Sequence, residues 1–109
     1  MKLALTAVLT SALALALAAP AGAAEFNVTL KNHRFTPSTI KVKAGTTNVI
    51  ILKNEDSTAD EFDSESLKTE KVVAGGGTGK IRLRPLAPGR YPFMGEFHAK
   101  TAQGVVIAE

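Results

Sequence analysis

The 109-residue chain contains no cysteine. That absence excludes disulfides, thiolate metal sites, iron–sulfur clusters, Cys nucleophiles and any copper centre that needs a Cys sulfur. Histidine is nearly as scarce, with two residues, so a three-His zinc site requires ligands shared between subunits. Helical patterning is also missing: beyond the N-terminal apolar run, no stretch holds a convincing 3.6-residue period. No Ser-centred elbow is present, and two histidines with scattered carboxylates form no recognisable triad. Gly75 to Lys80 (GGGTGK) imitates a phosphate-binding loop but fails twice. Ala74 stands at its first glycine, and Ile81 where Ser or Thr should bind magnesium. It reads instead as a hairpin or interstrand turn.

The length allows one domain, and its first residues are read as a leader. Met1-Lys2 precedes an apolar run from Leu3 to Ala19, then Pro20 and Ala21-Gly22-Ala23-Ala24-Glu25. One positive region, one apolar core and small residues at the end predict a secretory signal over residues 1–24, removed from a mature domain of residues 25–109. The run is short for a membrane span and lacks a basic flank. The expected location is therefore the bacterial periplasm. The formal charge of +3 owes one unit to Lys2. The basic stretch Lys80, Arg82 and Arg84 lacks aromatic interleaving, so no nucleic-acid partner is expected. That face suits an acidic partner or a second subunit, which would make a homodimer.

Period-two alternation dominates what remains. Phe26, Val28 and Leu30 alternate with polar residues, as do Ile40 and Val42, and Lys80 to Arg84 (KIRLR) puts its basic side chains on a wet face. Thr47 to Lys53 is a near-continuous apolar run, as expected of a strand buried on both faces. Further strands are predicted over Arg90 to Met94 and Gly104 to Ala108. Short strands with Gly/Pro turns predict an all-β fold, a small antiparallel sandwich or barrel. Asn54 to Glu70 shows no clear period and reads as a long loop. It gathers Glu55, Asp56, Asp60, Glu61, Asp63, Glu65 and Glu70, and Phe62 and Leu67 should pin it to the core. Carboxylates on pinned backbone suit a hard or borderline cation. The other informative segment, Arg90 to His98 (RYPFMGEFH), places Met94, Glu96 and His98 within five residues. Thioether, carboxylate and imidazole together suit copper, and carboxylate with imidazole suits iron. Alternation sets Met94 and Glu96 opposite Phe93 and Gly95, which suggests a second, surface site. His33, in the turn Asn32-His33-Arg34-Phe35, either joins that surface site or caps the turn.

The order of segments resembles a cupredoxin, a Greek-key β-sandwich. Phe35-x-Pro37-x-x-Ile40-x-Val42-x-x-Gly45 resembles that family's opening strands, and Asn54-Glu55-Asp56 its Asn-containing turn. Pro88-Gly89-Arg90-Tyr91-x-Phe93, followed by His98 and Gly104, resembles its ligand hairpin. Of the blue-copper ligands only His98 keeps its place. Gly95 stands where the Cys belongs, Glu61 near where the first His belongs, and Thr101 to Gln103 offers no axial Met. A blue site is excluded. Asp60-Glu61-Phe62-Asp63-Ser64, Gly95-Glu96-Phe97-His98 and Thr101-Ala102-x-Gly104 are similar to the cupredoxin-like domain of EfeO-type proteins, and equally to the stand-alone FtrB-type cupredoxins of ferrous-iron import systems.

That resemblance implies a protein binding copper (Cu2+) or iron, working with a periplasmic iron-binding protein and a membrane iron permease, and assisting Fe(II) oxidation before uptake. Expected metal residues are His98 first, then Glu61, with Glu96, Met94 and His33 as further ligands and Asp63 and Glu65 outside them. Carboxylates would favour the oxidised ion. Two alternatives stay open, a periplasmic copper carrier or resistance protein without redox turnover and a metal-free interaction module.

Overall fold

The computed structural model describes residues 22–109; the predicted leader lies outside the described residues except for its last three. Among the described residues, nine strands form two facing sheets. The first sheet has the order β2 (Arg34–Thr36), β1 (Ala24–Lys31), β4 (Asn48–Asn54), β7 (Thr78–Leu83). The second has the order β3 (Thr39–Val42), β9 (Gln103–Ala108), β8 (Gly89–Gly95), β5 (Asp60–Ser64), β6 (Thr69–Val73). A 3-10 turn, Glu96–His98, follows β8. The all-β sandwich expected from alternation is therefore observed, with one refinement. Its sheets are mixed, because β1 pairs parallel to β4 and β3 parallel to β9. The chain crosses between sheets after β2 and again after β3, and such crossings permit parallel neighbours where hairpins do not.

The core follows from the period-two pattern. Val28 and Leu30 of β1, Ile50 and Leu52 of β4, and Ile81 and Leu83 of β7 point inward. They meet Ile40, Val42, Phe62, Phe93 and Val106 from the second sheet. Phe62 and Phe93 stack with centroids 4.7 Å apart, and Phe35 meets Phe93 edge-on at 5.1 Å. Each such side chain contributes about 1.5–3 kcal/mol by leaving water. Gly104 is required here, since a Cβ on it would collide with the Phe93 ring.

One expectation is corrected. Asn54 to Glu70 is not one long loop but contains β5 and most of the β5–β6 hairpin, which turns through Lys68 at φ +53°. The alternation was hidden because two of the three inward positions of β5 are polar. Asp60 and Ser64 flank Phe62 and all three are buried. Ser64 is satisfied there, donating to Pro92 O at 2.6 Å and accepting from Leu67 N. Of the two readings of the glycine stretch before Lys80, the interstrand turn holds: it carries the chain from β6 in one sheet to β7 in the other. Lys80, Arg82 and Arg84 are exposed and alternate with buried Ile81 and Leu83, as expected, and the Arg84 guanidinium also donates to Leu67 O and Ser66 O.

Candidate metal centre

One end of the sandwich gathers both histidines. His33 comes from the β1–β2 turn, His98 from the 3-10 turn after β8, and Asp60 opens β5. The imidazoles of His33 and His98 lie face to face, centroids 3.6 Å apart and planes 10° from parallel. One ligand atom each of His33, Asp60 and His98 fall within 4.8 Å of one another. Both rings are partly exposed, whereas Asp60 is 3 % exposed. The cluster is thus anchored from inside and open to solvent.

Asp60 is held on every side. Its Oδ1 accepts from the backbone N–H of Glu61 (2.8 Å) and of Phe97 (3.1 Å), and its Oδ2 lies 2.9 Å from His98 Nδ1. A buried carboxylate needs such partners to remain ionised. An acceptor at that distance favours the neutral His98 ring with its proton on Nδ1. Gly95 explains the missing thiolate. A Cβ at Gly95 would stand 2.7 Å from Asp60 Oδ2 and 2.8 Å from Ala102 Cβ. The Asp60 carboxylate fills the space that a side chain at Gly95 would need.

His33 is held by a different carboxylate. Asn32 and His33 both sit in the left-handed region, at φ +51° and +56°, a conformation costing a non-glycine residue about 1–2 kcal/mol. Asp56 offsets this by accepting from Asn32 N (2.7 Å) and His33 N (2.9 Å). Its Oδ2 also lies 3.3 Å from His33 Nδ1. The His33 backbone N–H is the main reason the Asp56 carboxyl is pulled below its ordinary value, with Asn32 N–H and the imidazoles adding to it against the opposing effect of burial.

The remaining candidates lie elsewhere. Glu61, one residue from Asp60, points to the outer face of the second sheet, where Glu61, Asp63 and Glu70 bring carboxylate oxygens within 4.8 Å. Met94 pairs opposite Asp63 across β5–β8 and is exposed, as is Glu96. The expected second group of Met94 and Glu96 opposite Phe93 and Gly95 is therefore observed as a placement, but Glu61 belongs to it and His33 does not. Burial raises the Glu61 carboxyl above its ordinary value, and hydrogen bonding and repulsion from Glu96, then Glu70 and Asp63, add to that. Glu65 is exposed beyond the end of β5. Asp60 and Asp56 are the residues that sequence reasoning passed over. Parity held the signal for Asp60: it sits two residues before the core residue Phe62, so it shares that inward face and Glu61 cannot.

The donor set does not fit a blue copper ion, because no thiolate is present. It fits a borderline cation that takes imidazole nitrogen and carboxylate oxygen, such as Cu(II) or iron. Sandwich topology and an end-on imidazole site define a cupredoxin-like protein. The chain belongs to the cupredoxin-like domain family, whose model matches residues 3–108. It is 41% identical over 83 residues to the uncharacterized protein RP394 of Rickettsia prowazekii (strain Madrid E), covering 76% of this chain and 66% of that protein. The chain thus spans just under two thirds of that relative. Among solved structures it is similar to auracyanin A, a "blue" copper protein of Chloroflexus aurantiacus, with TM-score 0.69, 15% identity, and 81% of this chain and all of that one covered. It is also similar to the metal-binding domain of the Streptococcus pneumoniae Cu(I)-exporting ATPase CopA, with TM-score 0.67, 16% identity, and 78% and 84% covered. At these identities the structural likeness speaks for the fold.

Proposed function

We propose that this protein is a periplasmic, non-blue metal-binding cupredoxin that serves bacterial iron import. The observation carrying the reading is the pairing of His98 Nδ1 with the buried Asp60 at 2.9 Å, beneath an imidazole of His33 stacked at 3.6 Å. A carboxylate beside an imidazole is a common companion of a metal-ligating histidine. His98 and His33 would offer imidazole nitrogen to the ion, with Asp60 beside them offering carboxylate oxygen and negative charge. A copper ion held there would supply one-electron redox chemistry towards Fe(II), which is cargo. The chain's own contribution is electrostatic: for iron held at the site, Asp56 and Asp60 would favour Fe(III) over Fe(II), which eases its oxidation. The leader pattern supports export to the periplasm. The resemblance to EfeO-type and FtrB-type proteins supports a periplasmic iron-binding protein and a membrane permease as partners.

The test is a Cu(II) titration of residues 25–109, followed by electron paramagnetic resonance and thermal melting. Expected is one Cu(II) per chain with nitrogen and oxygen ligation and weak colour. Replacing His98→Ala should weaken binding by about 100-fold, the upper end of what loss of a mere supporting group costs. Glu61→Ala should leave it unchanged. Absence of any stoichiometric signal or melting shift with copper or with iron would overturn the reading and favour a metal-free module. Tight copper binding without faster Fe(II) oxidation would make the protein a copper carrier.

A further inference from the structure

The two imidazoles face each other, but they are fastened unequally. The His98 ring is hydrogen-bonded to the buried Asp60 at 2.9 Å, and the His98 carbonyl accepts from Ala102 N at 2.9 Å and Thr101 N at 3.1 Å. His33 is fastened through its backbone instead. Its N–H and that of Asn32 are taken by the two oxygens of Asp56, at 2.9 and 2.7 Å. The ring meets Asp56 at an ion-pair distance of 3.3 Å, without hydrogen-bond geometry, and the His33 side chain is 41 % exposed against 28 % for His98. Of the two rings, His33 is the one free to turn about a fixed main chain.

We infer that the His33 ring is a lid on the metal site: it lies on His98 in the metal-free protein, and it must leave the stack before one ion can take nitrogen from both histidines. The inference rests on the metal-binding reading above. A metal ion bonds an imidazole along the nitrogen lone pair, in the plane of the ring and about 2.0–2.1 Å away. With ring planes 10° from parallel and centroids 3.6 Å apart, no position close to the rings lies in both planes. The stacked arrangement therefore admits an ion to one imidazole at a time. A small movement resolves this, because one ligand atom each of His33, Asp60 and His98 already fall within 4.8 Å of one another. Turning the His33 side chain is enough. The β1–β2 turn keeps its left-handed conformation and its bonds to Asp56, and the hydrogen-bonded pair of Asp60 and His98 is the fixed half of the site.

The experiment is proton NMR of the two imidazoles during titration with Zn(II) alone, a diamagnetic ion that takes the same nitrogen and oxygen donors. In the metal-free protein, nuclear Overhauser contacts between ring protons of His33 and His98 are expected. One equivalent of Zn(II) should abolish them and shift both sets of ring signals, while amide exchange at Asn32 and His33 stays unchanged. In His33→Ala the affinity for Zn(II) should fall by about 10-fold or more, since losing a ligand costs at least as much as losing a ligand's outer partner. Ring contacts that persist in the Zn(II)-saturated protein overturn the inference, a result that needs no variant to fold. So does faster amide exchange at Asn32 and His33 on binding, because the whole turn would then open rather than the ring alone. Unchanged or tighter Zn(II) binding in His33→Ala also overturns it, since His33 would then be a cover and never a ligand. Failure of the metal reading has a different signature: the rings are stacked, but neither Zn(II), Cu(II) nor iron shifts any ring signal, and the lid falls with that reading.

Discussion

Two groups of polar side chains begin one residue apart on β5 and have opposite characters. Asp60 faces inward, is buried, and has three donors on its two oxygens. Glu61 faces outward and shares its surroundings with Asp63, Glu70 and Glu96, all of one sign. Among the described residues, no Lys or Arg nitrogen lies within 4.0 Å of these four carboxylates, the close ion pairs being His33–Asp56, Lys53–Glu55 and His98–Asp60. Composition alone would rate the outer group the better cation site, since it has more negative charge. The inner group differs in being preorganised at Asp60 and His98: backbone N–H groups fix the carboxylate, which in turn holds the ring. Ligand count matters less than what stands behind each ligand.

This contrast can be broken most severely at Asp60. In Asp60→Ala the N–H of Glu61 and Phe97 and the Nδ1 of His98 all lose their buried acceptor. Leaving such groups unpaired costs about 1–3 kcal/mol each, so a loss of roughly 2–5 kcal/mol is expected in urea unfolding, with copper affinity lost as well. Removing Asp63 in the outer group should instead leave stability unchanged or slightly improved. Equal losses for the two substitutions would erase the distinction.

Gly95→Ala is the next largest effect. The added methyl would enter within 2.7 Å of Asp60 Oδ2 and 2.8 Å of Ala102 Cβ. Overpacking of this kind costs about 1–3 kcal/mol, and the carboxylate is the softer of the two neighbours. The expected outcome is a moderate drop in stability accompanied by displacement of Asp60 and weaker copper binding. An unperturbed His98 ring signal in this variant would show that the Asp60 carboxylate does not fill the space beside Gly95.

How far each group was legible follows from the same residues. The sandwich was readable because Val28, Leu30, Ile81, Leu83 and Phe93 alternate plainly with exposed neighbours. β5 was not, because its inward residues Asp60 and Ser64 are polar, and a hydrophobic count scores them as loop. His98 could be placed from the segment Gly95-Glu96-Phe97-His98. Its partner could not, because the choice between Asp60 and Glu61 depends on strand parity and the strand itself was hidden. His33 lies 65 positions earlier in the chain than His98. Only the meeting of the β1–β2 turn with the turn after β8 brings them together, and no local pattern records that meeting. Met94 and Glu96 were correctly set apart from Gly95, since alternation along β8 is regular.

The smallest effect sharpens the comparison through pH in the metal-free protein. The Asp56 carboxyl is lowered from its ordinary 3.8, so the unfolded chain binds more protons below that value, and this contribution to stability is lost as pH falls through the folded pKa. The Glu61 carboxyl is raised from 4.5, so the folded chain binds more protons above that value. Its contribution is fully present below 4.5 and is lost as pH rises through the higher folded pKa. The two groups therefore tilt the stability curve in opposite senses and in separate windows. Glu61→Gln should remove only the upper decline: melting temperature should match the parent protein in acid and exceed it slightly at neutral pH. A decline that survives in Glu61→Gln would mean that the repulsion is shared among Asp63, Glu70 and Glu96 rather than focused on Glu61. The outer group would then be a dispersed acidic face, still distinct from the inner site but with no residue at its centre.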